Sequence, residues 1–207
     1  QQGSDLEYIR LLAARVGYVF SLAPGPTPGM STAYWGPKVK VGVPQPALNA
    51  DMDAASNVES LSFSYDGNAR SLPIVYIQNE QTKLPLPIPI PDIGPLNPPL
   101  GLIDPPPQKF RTLPETAKYS PMRAMLLGMA EAAKSADTVT GRGSLDVVRY
   151  GRVLKPRQLV GVRGVGPAFD GLHYVSQVRH TIKRGEYKQS FELSRKGLLS
   201  TVPLVLA

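Results

Sequence analysis

The chain has 207 residues, 42% hydrophobic and 19% charged, with 22 prolines, no cysteine and a formal net charge of +7. That is enough chain for one large or two small domains, and too apolar for disorder throughout. The absence of cysteine excludes a disulfide scaffold, a thiolate metal site and a cysteine nucleophile, while the basic balance permits contact with nucleic acid or acidic surfaces without requiring it. No stretch approaches the ~20 apolar residues that span a bilayer. Gln1 to Asp5 show no leader pattern, and the first residue is not Met, so a longer protein with more chain upstream is expected.

Residues 4–16 read as a helix. Ser4 and Glu7 have capping-box spacing, and Leu6, Ile9, Leu12, Ala13 and Val16 share one face. Gly17 stands where a left-handed cap is expected, and Tyr18 to Leu22 reads as a strand. After the breaks at Pro24, Pro26 and Pro28, the alternation of Val39, Val41 and Val43 with Lys38, Lys40 and Gly42 predicts a half-buried strand. Val58 to Tyr65 predicts another, with Leu61, Phe63 and Tyr65 against Ser60, Ser62 and Ser64, then a turn at Asp66-Gly67. Ile74 to Ile77 is a further strand.

Residues 84–107, LPLPIPIPDIGPLNPPLGLIDPPP, change character. Proline has no amide donor and a fixed φ, so neither a helix nor a central strand fits. The segment is expected to be extended, lying along a surface or acting as a stiff linker. Ser120 and Pro121 start a helix reaching about Ala136. Its stripe of Met122, Met125, Leu126, Met129 and Ala133 is expected in the core, the alternative being an adaptable binding surface.

Leu145 to Tyr150 and Leu159 to Val165 read as strands. Two long alternating strands then meet at Arg184-Gly185. Taking those two residues as the loop, Lys183 faces Glu186, Ile182 faces Tyr187, His180 faces Gln189, Arg179 faces Ser190, Val178 faces Phe191 and Gln177 faces Glu192. One face then carries Tyr174, Val178, Ile182, Tyr187, Phe191 and Leu193. The other is polar and basic, through Arg179, Lys183 and Lys188. A one-residue slip would set polar against apolar positions, which fixes the register.

Chemistry-bearing motifs are sparse. His180 points to the mainly apolar face, and a partly buried, hydrogen-bonded imidazole is expected. His173 sits beside the Asp170-Gly171 turn. There is no G-x-S-x-G elbow and no H-E-x-x-H motif. Asp51 and Asp53 lack the rest of a calcium loop and mark a turn or helix start. Gly161, Gly164 and Gly166 are in the wrong order for a dinucleotide fingerprint and are expected at a bulge or a close backbone approach. No catalytic residue, metal site or cofactor is expected.

The segment RYGRVLKPRQLVGVRGVGPAFDGLHYVSQVRHTIKRGEYKQSFELSRKGL, residues 149–198, resembles the C-terminal region of the phage late control D, or tail-hub, family, which includes hubs of extracellular contractile injection systems. The resemblance rests on Val160, Val162 and Gly164; Asp170, Gly171, Tyr174 and Val175; His180 and Gly185; and Tyr187, Gln189, Phe191, Leu193 and Arg195. SDLEYIRLLAARVGYVF (4–20), AYWGP (33–37) and NVESLSFSYD (57–66) are also similar to that family.

It implies a non-catalytic, homotrimeric baseplate hub that joins a hexameric tube to a trimeric spike, alongside other baseplate components. Nucleic acid or protein cargo would pass through its lumen. It further implies a virion tail or injection-system particle assembled in the bacterial cytoplasm, and a first barrel upstream of this chain.

The expected fold is mainly β (α+β): a tail-tube-like β-barrel with accessory helices, split in sequence by a proline-rich excursion. The expected divisions are a helix-plus-strand subdomain (1–56), the barrel (57–80 and 137–207), the proline-rich segment (81–119) and a helix packing on the barrel (120–136). Arg179, Lys183 and Lys188 are the candidate lumen or subunit-interface residues. The competing reading is a basic β-barrel that binds nucleic acid or glycan, and a wall-hydrolysing enzyme ranks third.

Overall fold

The structure, a computed structural model, describes residues 3–79, 81–92 and 97–202, and not the side chain of Lys134. In chain order its elements are α1 (Asp5–Arg15), β1 (Tyr18–Pro24), β2 (Ser31–Pro37), β3 (Gln45–Asn49), β4 (Ser60–Tyr65), β5 (Ser71–Gln78), β6 (Pro85–Pro89), β7 (Gly101–Ile103), β8 (Lys109–Leu113), α2 (Pro121–Lys134), β9 (Val139–Asp146), α3 (Val147–Tyr150), β10 (Leu159–Arg163), β11 (Gly171–Lys183), β12 (Glu186–Arg195) and β13 (Leu198–Ser200). The fold is mainly β, as expected. The chain forms two units: Gln1–Lys38, Ser71–Leu96 and Pro107–Ala136 make the first, and Val39–Arg70, Asn97–Pro106 and Asp137–Ala207 the second.

In the first unit, α1 starts at the expected capping box: the Ser4 hydroxyl accepts from Glu7 N–H at 3.4 Å, and Ser4 N–H donates to the Glu7 carboxylate at 2.9 Å. β1 and β2 form a separate antiparallel hairpin. β5 is the centre of a three-stranded sheet, antiparallel to β6 and parallel to β8.

The helix α2 packs on β5 with its small residues, and Ala124 is fully buried beside Val75 and Ile90. A Cβ on Gly128 would lie 2.7 Å from side-chain atoms of both Ile90 and Val75, so the helix seats this closely only because Gly is there. Met122, Met125, Leu126 and Met129 therefore face outward, between 42% and 70% exposed. This corrects the expectation of a methionine-filled core: the alanine-glycine face permits the closer approach and takes the sheet.

The proline-rich segment holds an edge strand. Asn79 N–H donates to the Leu84 carbonyl and Ile90 N–H to the Pro73 carbonyl. In an antiparallel ladder this alternation turns Leu84, Leu86, Ile88 and Ile90 toward β5, and turns Pro85, Pro87 and Pro89 to the free edge. The missing donors of proline thus fall on the edge that has no partner strand among the described residues. Residues 93–96 of this segment lie outside the described residues.

The second unit is built on a six-stranded sheet in the order β3-β10-β11-β12-β9-β4, with β3 parallel to β10 and the other neighbours antiparallel. Laid flat, five inter-strand steps of ~4.8 Å would separate the edge strands by roughly 24 Å. Yet Asn57 hydrogen-bonds to both Ala47 and Asn49 of β3, while Glu59, two residues on, donates to Ser144 of β9 beside β4. The sheet therefore curls until its edges meet at that end. Its interior is Leu48, Leu145, Leu154, Val160, Val162, Val175, Phe191 and Leu193 with their neighbours.

Several expectations are corrected. β5 (Ser71–Gln78) pairs with β6 and β8, so of residues 57–80 only β4 joins the curled sheet, whereas β3, placed by sequence in the 1–56 subdomain, joins it on β10. The helix of 120–136 packs on β5 in the first unit. Residues 39–43 are not a strand: Lys40 is buried in an ion pair with Asp137, and Val43 is 91% exposed. The anchored ammonium inverts the valine alternation. Residues 147–150 are a helical turn, because the Asp146 carboxylate accepts from Val148 and Arg149 N–H.

Gly164 has φ +83°, and a Cβ there would come within 1.8 Å of the Ala50 carbonyl oxygen, which fulfils the expected close backbone approach.

Candidate functional site: the polar face of the long hairpin

β11 and β12 pair in the expected register, from Lys183↔Glu186 through Ile182↔Tyr187, His180↔Gln189 and Val178↔Phe191 to Gln177↔Glu192. The register then shifts, so that Val175 faces Leu193 and Tyr174 faces Ser194. The extra residue is a bulge at Ser176. It moves Tyr174 to the opposite face from Val178 and Phe191, which corrects its assigned place. Tyr174 instead packs with Leu100, Leu159 and Leu172 in a smaller cluster, while Val175 enters the main core.

The hairpin brings Arg179, Lys183 and Lys188 together on one face, as the register implies. Arg179 and Lys183 are exposed and Lys188 is half-buried. Other strands complete that face. Across the sheet Ser60 neighbours Ser144, Ser144 neighbours Ser190, and Ser190 neighbours Arg179, giving a row of hydroxyls that ends on a guanidinium. The Ser60 and Ser144 hydroxyls are 2.9 Å apart.

The face is less basic than the hairpin alone suggests. Lys188 Nζ lies 2.8 Å from the Glu59 carboxylate and 3.2 Å from that of Glu186, and these hydrogen bonds raise its pKa. Lys183 is 3.7 Å from Glu186, and Arg142 donates to Glu192 at 2.8 Å. Sequence reasoning missed Glu59 and Arg142 because they come from other strands. The alternating serines of Ser60, Ser62 and Ser64 were the available signal for the hydroxyl row.

Behind this face, the inward side chains of β12 hold backbone. Gln189 is fully buried; its amide donates to the Leu154 carbonyl at 3.0 Å, and its oxygen accepts from Leu154 N–H at 2.9 Å. Arg195, also fully buried, donates to the carbonyls of Gly197 (3.1 Å), Phe169 (3.3 Å), Asp170 (2.8 Å) and Ala168. Burial lowers its pKa to about 10, which leaves it charged at neutral pH. Both residues belong to the motif that carries the resemblance, and both hydrogen-bond to backbone here.

His173 is enclosed against the Phe63 ring at 5.0 Å. Burial first, and then Arg195, lower its pKa to about 3. His180 is exposed rather than partly buried, and its Nδ1 is 2.8 Å from the Tyr187 hydroxyl. The hairpin tip reaches past the core, so the apolar side of the alternation is wet there, and Ile182 is 71% exposed.

Among the described residues no group of three or more His, Cys, Asp or Glu side chains could hold a metal ion, and no helix is long and apolar enough to cross a membrane. No protein-family model matches the sequence, and no curated protein matches it.

The fold is similar to those of two solved tail proteins. The tail protein from Neisseria meningitidis MC58 superposes with a TM-score of 0.61 at 13% identity, over 96% of this chain and 57% of that one. The 43 kDa tail protein of prophage MuSo2 from Shewanella oneidensis superposes with a TM-score of 0.59 at 14% identity, over 94% and 56% respectively. The chain thus has a tail-protein fold and spans less than three-fifths of the length of each of these two.

Proposed function

We propose that this chain is a structural part of a baseplate hub in a phage tail or phage-derived injection machine, linking the tube to the spike. The observation that carries this reading is the fold likeness to two tail proteins over at least 94% of the chain. The arrangement suits such a role. The curled sheet is tied from within by the buried Gln189 and Arg195, and it presents a wet, hydroxyl-rich face with an exposed hairpin tip.

In this reading Arg179, Lys183 and Lys188 line the channel or meet the neighbouring subunit, the assembly is a homotrimer, and tube, spike and baseplate proteins are its partners. The chain acts by shape and has no catalytic step. The acids at Glu59, Glu186 and Glu192 interrupt the cationic track that a nucleic-acid-binding barrel would need, so that alternative ranks second.

The test is reversal of Arg179, Lys183 and Lys188 to Glu. Secondary structure stays unchanged, while incorporation into particles, scored by negative-stain imaging and delivery, drops at least tenfold. Normal assembly and delivery by the triple variant would remove the assigned role of these residues. DNA affinity that falls steeply with salt would favour the binding module instead.

A further inference from the structure

We propose that one end of the curled sheet is a docking surface for an anionic phospholipid bilayer, which it meets with exposed cations interspersed with exposed aliphatic side chains. The strand directions define that end: β9 and β11 finish there, and β3, β4, β10 and β12 start there. Asp146, the last residue of β9, pairs with Lys188, and Lys188 pairs with Thr181, two residues before the end of β11. α3 follows Asp146 directly. The loop after α3 is tied to the same end. Gln189 holds the N–H and carbonyl of Leu154, and the Gln45 side chain holds those of Lys155. α3, the loop 151–158, the tip of the β11–β12 hairpin and the segment leading into β3 therefore share one end of the second unit.

The charge there is one-sided. From residue 147 to residue 169 the chain has Arg149, Arg152, Lys155, Arg157 and Arg163, and no Asp or Glu. Among the described residues the acids at this end are Glu59, Asp146 and Glu186, and each is engaged: Glu59 and Glu186 on Lys188, and Asp146 on the N–H groups of Val148 and Arg149. Arg149, Arg152, Lys155 and Arg184 are exposed and have no carboxylate partner among the described residues. The loops at the other end, after β3 and before β11, carry Asp51, Asp53 and Asp170 instead.

Charge alone would suit any polyanion, and the apolar side chains select among them. Val43, Val148 and Ile182 are 91%, 83% and 71% exposed, and Val153 is exposed beside the tied Leu154. Val148 adjoins Arg149, Val153 adjoins Arg152, and Ile182 precedes Lys183 and Arg184. A protein interface gathers its apolar side chains into a centre depleted of charge; here they stand singly beside cations. Being aliphatic, they cannot form the stacking platform of a single-strand binder. A bilayer uses both kinds of side chain. Each Lys or Arg near an anionic surface strengthens binding about fivefold, while aliphatic side chains enter the boundary between headgroups and acyl chains. The proposal does not rest on the hub reading: a chain that ignores lipid would keep its fold likeness.

The test uses the full chain with vesicles of phosphatidylcholine alone, or of equal parts phosphatidylcholine and phosphatidylglycerol. In flotation at physiological salt, binding to the mixed vesicles is expected to exceed binding to phosphatidylcholine at least tenfold. Changing Arg149, Arg152, Lys155 and Arg184 together to Gln is expected to weaken it at least tenfold. Val148→Ser with Ile182→Ser, which keeps every charge, is expected to weaken it at least threefold, with circular dichroism unchanged in both variants. The natural chain has no cysteine, so a polarity-sensitive dye on Val148→Cys gives a second reading. Its emission should shift to the blue on adding the mixed vesicles, whereas the same dye on Ala54→Cys, exposed in the loop after β3, should not. No binding to the mixed vesicles, binding unmoved by both variants, or equal dye shifts at the two positions overturns the proposal. So does binding that the serine pair leaves intact and a short DNA duplex displaces, which would make this end a general polyanion site. Should a variant misfold, the dye comparison decides alone.

Discussion

The two units solve the burial problem in opposite ways. In the second, sixteen of the described hydrophobic residues are buried and only Ala50 among them is an alanine. In the first, five of the seven buried hydrophobic residues described are alanines, while Trp35, Phe110, Leu86 and the α2 methionines remain outside. Burial stabilises in proportion to apolar area, at about 25 cal/mol per Å², so alanine contacts contribute little. The second unit is held by its own interior. The first keeps its large apolar side chains on the surface, where contacts with other chains could use them. A similar supply of hydrophobic residues can thus build a core or an interface, and the placement of the small residues decides which.

The largest test of this contrast is Arg195→Met. It removes the guanidinium donor from the carbonyls of Ala168, Phe169, Asp170 and Gly197, of which Ala168 still accepts from Leu199 N–H. Stranding several buried carbonyls at about 1–3 kcal/mol each is expected to cost on the order of 3–5 kcal/mol in urea unfolding. A cost below about 1 kcal/mol would mean that these hydrogen bonds are not what holds the second unit together.

Acid should act next most strongly, through His173. Its native pKa of about 3 lies below the ordinary value of 6.5. Above pH 6.5 neither state binds the proton and the group contributes nothing. Below it the unfolded chain takes up a proton that the native state refuses, so stability falls down to about pH 3, by a total on the order of 4 kcal/mol. Unfolding curves of the natural chain should therefore steepen with acid relative to His173→Leu; parallel pH profiles would refute this.

Gln189→Leu removes both bonds to Leu154 and is expected to cost about 1–3 kcal/mol. Amide exchange should accelerate in residues 151–158 before it does elsewhere in the second unit.

The smallest effect is expected in the first unit. Gly128→Ala gains helix propensity of about 1 kcal/mol but drives a Cβ against Val75 and Ile90, an overpacking cost of about 1–3 kcal/mol. A net loss near 1 kcal/mol should appear as faster exchange in α2 and β5. A stabilised variant would show that α2 sits less tightly on β5 than the glycine contact requires.

Much of the second unit was legible in the sequence, because its signals are local and periodic. The strand of alternating serines and the long hairpin register depend only on neighbours, as does the Ser4 capping box of the first unit, and the charged pair Lys183–Glu186 confirms the hairpin register. The failures came where a long-range contact outweighed a local pattern. Lys40 found Asp137 and turned the valine alternation inside out. Ala124 and Gly128 found β5 and left the methionines outside. β3 found β10, more than a hundred residues on. The candidate face was half legible: Arg179, Lys183 and Lys188 follow from the hairpin, whereas the neutralising Glu59 lies in a segment that no local rule connects to them.

The bulge at Ser176 has a consequence for how this chain tolerates change. A strand is a two-beat rhythm, and the bulge is a dropped half-beat that lets β11 serve one cluster through Val175 and Val178 and another through Tyr174. Deleting one residue between 175 and 177 would restore an even beat, yet it would put Tyr174 where the main core has no room and withdraw it from Leu100 and Leu159. Length at this point is therefore fixed more strictly than residue identity, and variants that keep the chain in time should outnumber those that merely keep its chemistry.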